Sequence, residues 1–515
     1  MLASRSVHPP VYDVHSAEPK NMELEVKQVL TYASDLMGGE AMPRNVALNW
    51  IAEHEKEITE VSDRIWEYAE VGLQELKSSR LIAERLAAAG FEVDSGVADM
   101  PTAIVASYGS GKPAIGILAE YDALAGLSQK PIPVKEPVSS GAPGHGCGHN
   151  LFGAMSMGAA IAIKEAMKQK ELEGTVKLFG CPAEETLVGK VFMVKAGLFD
   201  GIDAVLSWHP SSTNTVDLGS SNAMNSVKFD FHGVTAHAAA NPEQGRSALD
   251  AVELMNMGVN YLREHVIEKA RIHYVITHGG GQPNVVPAFA QVWYYVRAPR
   301  REQVDELHDR IIRIGKGASL MTETTMDVRF LVGCYNVLPN KPLNCLMLKN
   351  LKEVGPPSWT AEEIEFARKI NESITSEQKK TVMESSRVPR LEEKLDLFLD
   401  DRTDDPESEG TVMAGSTDVG DVSWVAPTGQ LLVATYNLGV PVHSWQVTAA
   451  SGMSIGHKGG ILASKVMALT GVDLIMNPEE LAKIRGEFEE LTKRSKYVSP
   501  LPEGLKPPFD QLPQH

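Results

Sequence analysis

The spacing of apolar residues changes past Gly90, and this change constrains the fold more than any other feature of the chain. Before it, Trp50, Ile51, Ile58, Val61, Ile65, Trp66 and Ala69 recur at three- and four-residue intervals with acids and bases between them. That period predicts helix over 45–89, with a second helix over 79–89 closed by Gly90 at its C′ position. After it, Phe91-Glu92-Val93, Ala103-Ile104-Val105-Ala106 and Ile115-Gly116-Ile117-Leu118 are short apolar runs bounded by Gly and Pro, which predicts buried strands. Gly109-Ser110-Gly111-Lys112 lacks the spacing of a phosphate loop and reads as a turn. Helices over 151–168 and 188–196 then alternate with strands over 175–180 and 204–208. Such alternation predicts an α/β domain with a largely parallel or mixed sheet. Functional loops belong at the carboxyl ends of its strands.

Near 219–222 the texture shifts again. Ser226 to His232 alternates as a strand with one wet face does. An amphipathic helix over 246–265, a strand over 291–297, a helix over 301–318 and a strand over 325–332 follow. The expected order is strand-helix-strand-strand-helix-strand, a small α+β unit of the ferredoxin-like kind inserted into the first domain. The predicted division is an N-terminal arm over 1–43, a catalytic domain over 44–220 and 334–480, the insert over 221–333, and a C-terminal helix and tail over 481–515. Within it, 353–410 reads as a charged helical elaboration and 411–470 as strands and loops. No internal repeat is present.

Composition narrows the function classes. A chain of 515 residues with 43% apolar and 23% charged residues is expected to be globular with more than one core. Its formal charge of −18 argues against a nucleic-acid or anionic-membrane partner. Four cysteines without a C-x-x-C pair predict free thiols in a reducing compartment. The first twenty residues have no apolar signal segment, and no continuous apolar run reaches membrane-spanning length. The expected location is the cytoplasm.

The chemistry concentrates in Gly144-His145-Gly146-Cys147-Gly148-His149-Asn150, where a thiol and imidazoles stand between glycines. Cys and His bind divalent transition metals well. Glu184-Glu185, His209 and Asp122 each follow a predicted strand, and His443 lies in Gly-Val-Pro-Val-His-Ser-Trp. Adjacent carboxylates repel unless they are solvated or stabilised by cations.

Taken together, these residues make the sequence resemble the M20 metallopeptidases, in their amidohydrolase branch. Gly146-Cys147-Gly148-His149-Asn150, Pro182-Ala183-Glu184-Glu185, the run from Gly233 through His237 to Pro242, and Gly279 through Asn284 to Pro287 carry the resemblance over roughly 45–475. The runs Ala119 to Ser128, Pro143 to Asn150 and His443 to Gln446 look like the subgroup that hydrolyses p-aminobenzoyl-glutamate. Asn150 departs from the branch's Asp and is not counted as a ligand. The resemblance implies a catalytic domain of the zinc-peptidase type holding two divalent metals, zinc foremost and manganese the alternative. Cys147, His149, Glu185, His209 and His443 would be the ligands, and Asp122 would orient a ligand histidine. Glu184 would be the general base for a water activated at the metals. His237 of the insert would stabilise the oxyanion, and Asn284 and Arg297 would hold a substrate carboxylate. The implied reaction is hydrolysis of an N-acyl amino acid, an aromatic acyl-glutamate foremost. An aminoacylase with other acyl amino acids, such as indoleacetyl-aspartate-like conjugates, or a non-catalytic metal-binding subunit are the alternatives. The implied assembly is a homodimer through the insert, with a mixed dimer as the alternative. His145 is read as lining the pocket and Cys181 as a core residue beside it.

Overall fold

The computed structural model describes residues 42–509, so nearly all of the arm expected over 1–43 lies outside the described residues. The chain opens with α1 (Pro43–Tyr68) and α2 (Leu76–Ala88). In α1 the stripe Ile51, Ile58 and Ile65 is fully buried, and each such side chain taken from water stabilises by about 2 kcal/mol. Strands β1 (Glu92–Ser95), β2 (Ile104–Ser110) and β3 (Ala114–Glu120) precede α3 (His149–Gln169). After α3 come β4 (Gly174–Cys181), α4 (Gly189–Lys195), β5 (Ala204–Ser211) and the two-residue β6 (Thr215–Val216). β1 is an exposed edge strand rather than the buried one expected, because Glu92, Asp94 and Ser95 all face water.

The insert follows as β7 (Ala223–His232), α5 (Ala248–Leu262), β8 (Arg271–His278), β9 (Phe289–Ala298), α6 (Arg301–Thr322) and β10 (Thr325–Cys334). Its sheet runs β10-β7-β9-β8 with every neighbour antiparallel. Val227, Phe229, Phe231, Val292, Tyr294 and Val296 form a core of their own with α5 and α6. β8 is the strand whose residues had no assignment. Seven of its eight residues are exposed, and its Ile272-Tyr274-Ile276 alternation is short and blurred by Val275 on the opposite face.

The chain then returns to the large domain through α7 (Lys341–Val354), α8 (Ala361–Asn371), α9 (Ser376–Ser385), β11 (Thr428–Ala434), α10 (Ser454–Met476) and α11 (Pro478–Thr492). Its sheet has the order β1-β2-β4-β3-β5-β11-β6. β4, β3, β5 and β11 are parallel and the outer pairings antiparallel, giving a mixed α/β sheet. The strand-and-loop reading of 411–470 is corrected here. Short helices occupy Val419–Ser423 and Trp445–Ser451, and α10 begins at Ser454. α10 is apolar around nearly its whole circumference, so it shows no amphipathic period to read. Among the described residues it is the one helix long and apolar enough to cross a membrane, but 89% of its apolar window is buried within the protein. It packs beside α3, where Ser464 Oγ donates to the Met155 carbonyl at 2.9 Å.

Candidate metal centre and active site

Three parallel strands deliver the polar groups to one place. Glu120 ends β3 with Asp122 just beyond it, Cys181 ends β4 ahead of Glu184-Glu185, and His209 stands near the end of β5. Opposite them, the glycine-rich loop turns into α3. Gly148 sits at φ +78° before the first helical residue, a conformation that suits glycine, and it puts His149 on the first turn. A Cβ at Gly146 would run into Leu127, so the loop closes tightly there. The Gly146 carbonyl accepts from the His443 N–H at 2.9 Å, which fixes His443 in a left-handed conformation (φ 57°).

The donor atoms converge in two sets. Those of Cys147, His149 and His209 lie within 4.8 Å of one another, and so do those of Cys147, Glu185 and His443. Cys147 Sγ is 3.4 Å from His209 Nε2, and His443 Nε2 is 3.3 Å from Glu185 Oε2. His149 Nδ1–H donates to Asp122 Oδ1 at 2.7 Å, which leaves Nε2 as the free face of the ring. His209 Nδ1–H donates to the Pro210 carbonyl at 2.7 Å, so its Nε2 likewise points a lone pair inward. Such outer hydrogen bonds set the tautomer of a metal-binding imidazole. Asp122 also accepts from the Glu185 N–H at 2.9 Å, and therefore orients both sides of the cluster.

Glu184–Thr186 is a single tight turn between two left-handed residues, Ala183 and Leu187. Strain of this kind costs of the order of 1 kcal/mol or more per residue and persists where surroundings enforce it. Buried Glu75 does part of that work by accepting from the Ala183 N–H at 2.8 Å. Burial pushes Glu185 up to about 8 and Glu184 up to about 7, the Glu120 charge adding to the latter. Burial also raises the Cys147 thiol, and with the charge of His149 it drives His209 down to about 3.

Reasoning from sequence missed three members of this site. Lys190, fully buried on α4, pairs with Glu120 at 2.7 Å and Asp418 at 2.6 Å. The readable signals were the Glu-x-Asp pair at the end of β3 and a lone lysine in the apolar run Val188 to Val194. Buried Glu120, Asp122, Glu184 and Asp418 are thus accompanied by one buried ammonium, paired with Glu120 and Asp418, an excess of negative charge that burial makes costly without cations. His149 Nε2 and Glu185 Oε1 are buried without a hydrogen-bond partner. These orphaned atoms, with a thiol and two further imidazoles beside them, fit divalent metals.

Other expected residues are not gathered here. His237 and Asn284 are exposed on the insert, where they meet each other's segments through the Ala238 N–H to Asn284 carbonyl bond at 3.0 Å. Arg297 is half-buried on β9 with its guanidinium 5.2 Å over the Tyr295 ring and its Nε unpartnered. Asn150 donates to Ser62 and to the Ser451 carbonyl, both at 3.0 Å, and so clamps α1 to the helix Trp445–Ser451. His145 is buried against the Ile65 carbonyl at 3.0 Å. Cys181 is buried in the core, and all four cysteines are free.

The fold and this donor set define a metal-dependent hydrolase. Residues 220–317 match the peptidase dimerisation domain. The chain is 42% identical over 464 residues to one of the subunits of the p-aminobenzoyl-glutamate hydrolase of Escherichia coli (strain K12), covering 87% of this chain and 95% of that protein. It is 29% identical over 405 residues to the Xaa-Arg dipeptidase of Mus musculus, covering 76% and 78%. The crystal structure of an aminobenzoyl-glutamate utilization protein from Klebsiella pneumoniae superposes with a TM-score of 0.56 at 18% identity, over 83% of this chain and 97% of that one. The chain belongs to the M20 metallopeptidase family, as a metallo-amidohydrolase.

Proposed function

We propose that this chain hydrolyses the amide bond of an aromatic N-acyl amino acid, p-aminobenzoyl-glutamate foremost, at a pair of divalent metals. The observation that carries the reading is Cys147, whose sulfur belongs to two donor sets at once, with Glu184 beside them. Cys147, His149, His209, Glu185 and His443 would hold the metals, zinc foremost and manganese the alternative. When bound, such ions polarise an amide carbonyl and make water acidic. Glu184 takes the proton of the attacking water and passes it to the leaving amine. The unpartnered Arg297 Nε supports a role in holding the substrate carboxylate, by the fork geometry arginine offers. His237 and Asn284, exposed on the insert and absent from the donor sets, fit action at the site of a second subunit. A homodimer through the insert is the first form of that assembly. A mixed dimer is the second, because the Escherichia coli relative is named as one subunit of its enzyme.

Release of free amino acid from a panel of aromatic acyl-Glu, -Asp, -Leu and -Arg substrates tests the assignment. We expect the acidic members to be favoured at least about tenfold in kcat/KM, since a site built to bind a charge rejects substrates lacking it. Uniform rates would sink the glutamate reading. The Asp122→Asn variant tests the metal geometry separately. Its amide turns a donor toward His149 or the Glu185 N–H, and metal affinity in chelator competition is expected to fall roughly 10–100-fold. Unchanged affinity would remove Asp122 from the site.

A further inference from the structure

Glu120 lies in the wall of the cluster and has one oxygen that nothing satisfies. It is 1% exposed. Its Oε1 is engaged by Lys190 Nζ at 2.7 Å, and Lys190 in turn is gripped by Asp418. The Asp418 carboxylate accepts from the Lys190 ammonium at 2.6 Å and from the Lys190 backbone N–H at 2.8 Å. The chain Asp418–Lys190–Glu120 therefore fixes the Glu120 carboxylate in one orientation, with no freedom to turn to solvent. Oε2 is left over. It points at His149, 3.2 Å from Nε2, yet both atoms lack a hydrogen-bond partner because the approach is not aligned for one.

Two orphaned, buried donors at that separation have the spacing of neighbours on one ion, since zinc takes N and O ligands at roughly 2.0–2.2 Å. His149 Nε2 also lies 4.0 Å from an oxygen of Glu184, and Glu120, His149 and Glu184 offer donor atoms within 4.8 Å of one another. We propose that Glu120 is a further carboxylate ligand of the metal centre, on the His149 side, held there by the Lys190–Asp418 pair. This rests on the two-metal reading above. Lys190 neutralises only one of its two carboxylates, so the pair delivers a net negative charge to the ion. The alternative is that Glu120 only balances the charge of Lys190 and its surroundings, with no metal bond to Glu120.

The test begins with metal content and chelator competition on the purified wild-type protein and on Glu120→Gln. We expect two ions per wild-type chain, and a variant that keeps one ion at wild-type affinity while the other weakens at least about tenfold. The cobalt-loaded variant should also show an altered visible spectrum at one site, a readout independent of turnover. A wild-type chain that binds no metal overturns the two-metal reading itself. A variant that binds both ions as the wild type does overturns the role of Glu120 alone. Should Glu120→Gln fail to fold, a crystal structure of the zinc-loaded wild-type protein decides. An oxygen of Glu120 at about 2.0–2.2 Å from an ion supports the proposal, and one beyond about 3 Å defeats it.

Discussion

Glu184→Gln is expected to leave the protein folded, with two metals per chain, and to lower turnover at least about 100-fold. The amide keeps the shape and volume of the carboxyl but cannot accept a proton, and general-base removal of this kind costs typically 10²–10⁴ in rate. The surroundings argue for a group set up to exchange protons. Glu184 is buried, and burial with the neighbouring Glu120 charge places it at about 7, opposite Lys190 and His149. It is also held by a turn whose flanking residues, Ala183 and Leu187, adopt unfavourable backbone angles. Parallel measurement of kcat and of metal content by elemental analysis checks the result. Turnover within tenfold of wild type would end the assignment of Glu184 as base, and would favour the non-catalytic binding subunit if wild-type turnover is itself negligible.

Removing the metals should have a still larger effect, abolishing activity and reversing the response of stability to pH. In the folded chain Glu184 stands at about 7, and Glu185 and Glu75 at about 8, all raised chiefly by burial. Carboxyls raised above their unfolded values stabilise the fold when protonated, fully so below about pH 4.5. That contribution is lost as pH climbs through 7 to 8. His209 acts in the opposite sense. Its folded value of about 3 lies below the unfolded one, so its contribution is present above about pH 6.5 and lost on acidification. Between pH 6.5 and 8 the carboxyls therefore dominate. The stripped protein should melt several degrees lower at pH 8 than at pH 6.5, with a loss of the order of 2 kcal/mol or more. In the proposed site the cations would bind the ionised carboxylates and the Cys147 thiolate, so the loaded protein should not share that decline. Thermal unfolding with and without a chelator at the two pH values measures this. A stripped protein that gains stability toward pH 8 would contradict it.

Elements with a strong period were legible from sequence. The stripe of α1, the alternation of β7 and β9, and the strand-helix order of the insert all declare themselves, because one face is buried and the other wet. α10 and β8 did not, for opposite reasons. One is apolar on nearly every side, and the other keeps only a short Ile272-Tyr274-Ile276 alternation with Val275 on its opposite face, so the pattern in each is weak. The site divides the same way. Cys147, His149, Glu184-Glu185, His209 and His443 announce themselves by residue type and by their position after strands or in glycine-rich loops. Lys190 and Asp418 are distant in sequence and ordinary in context, and only the packing of α4 against Val419–Ser423 brings them together. Glu120 was visible as part of Glu-Tyr-Asp, but Lys190 is what separates its role from that of Asp122.

The order of the large sheet also bears on how the molecule is assembled. β11 lies between β5 and β6, yet it is made only after the whole insert and the helical elaboration have been synthesised. On a ribosome the first half of that domain would wait, with the edge of β5 open and four of the five proposed donor residues, all but His443, already made. Pairings this remote in sequence close slowly, and the insert, with its own core, can fold in the interval. His443 and Asp418 arrive last. On the proposed assignment, the Cys147, His149 and His209 donor set is synthesised before the insert, and the set that needs His443 is completed only at the end.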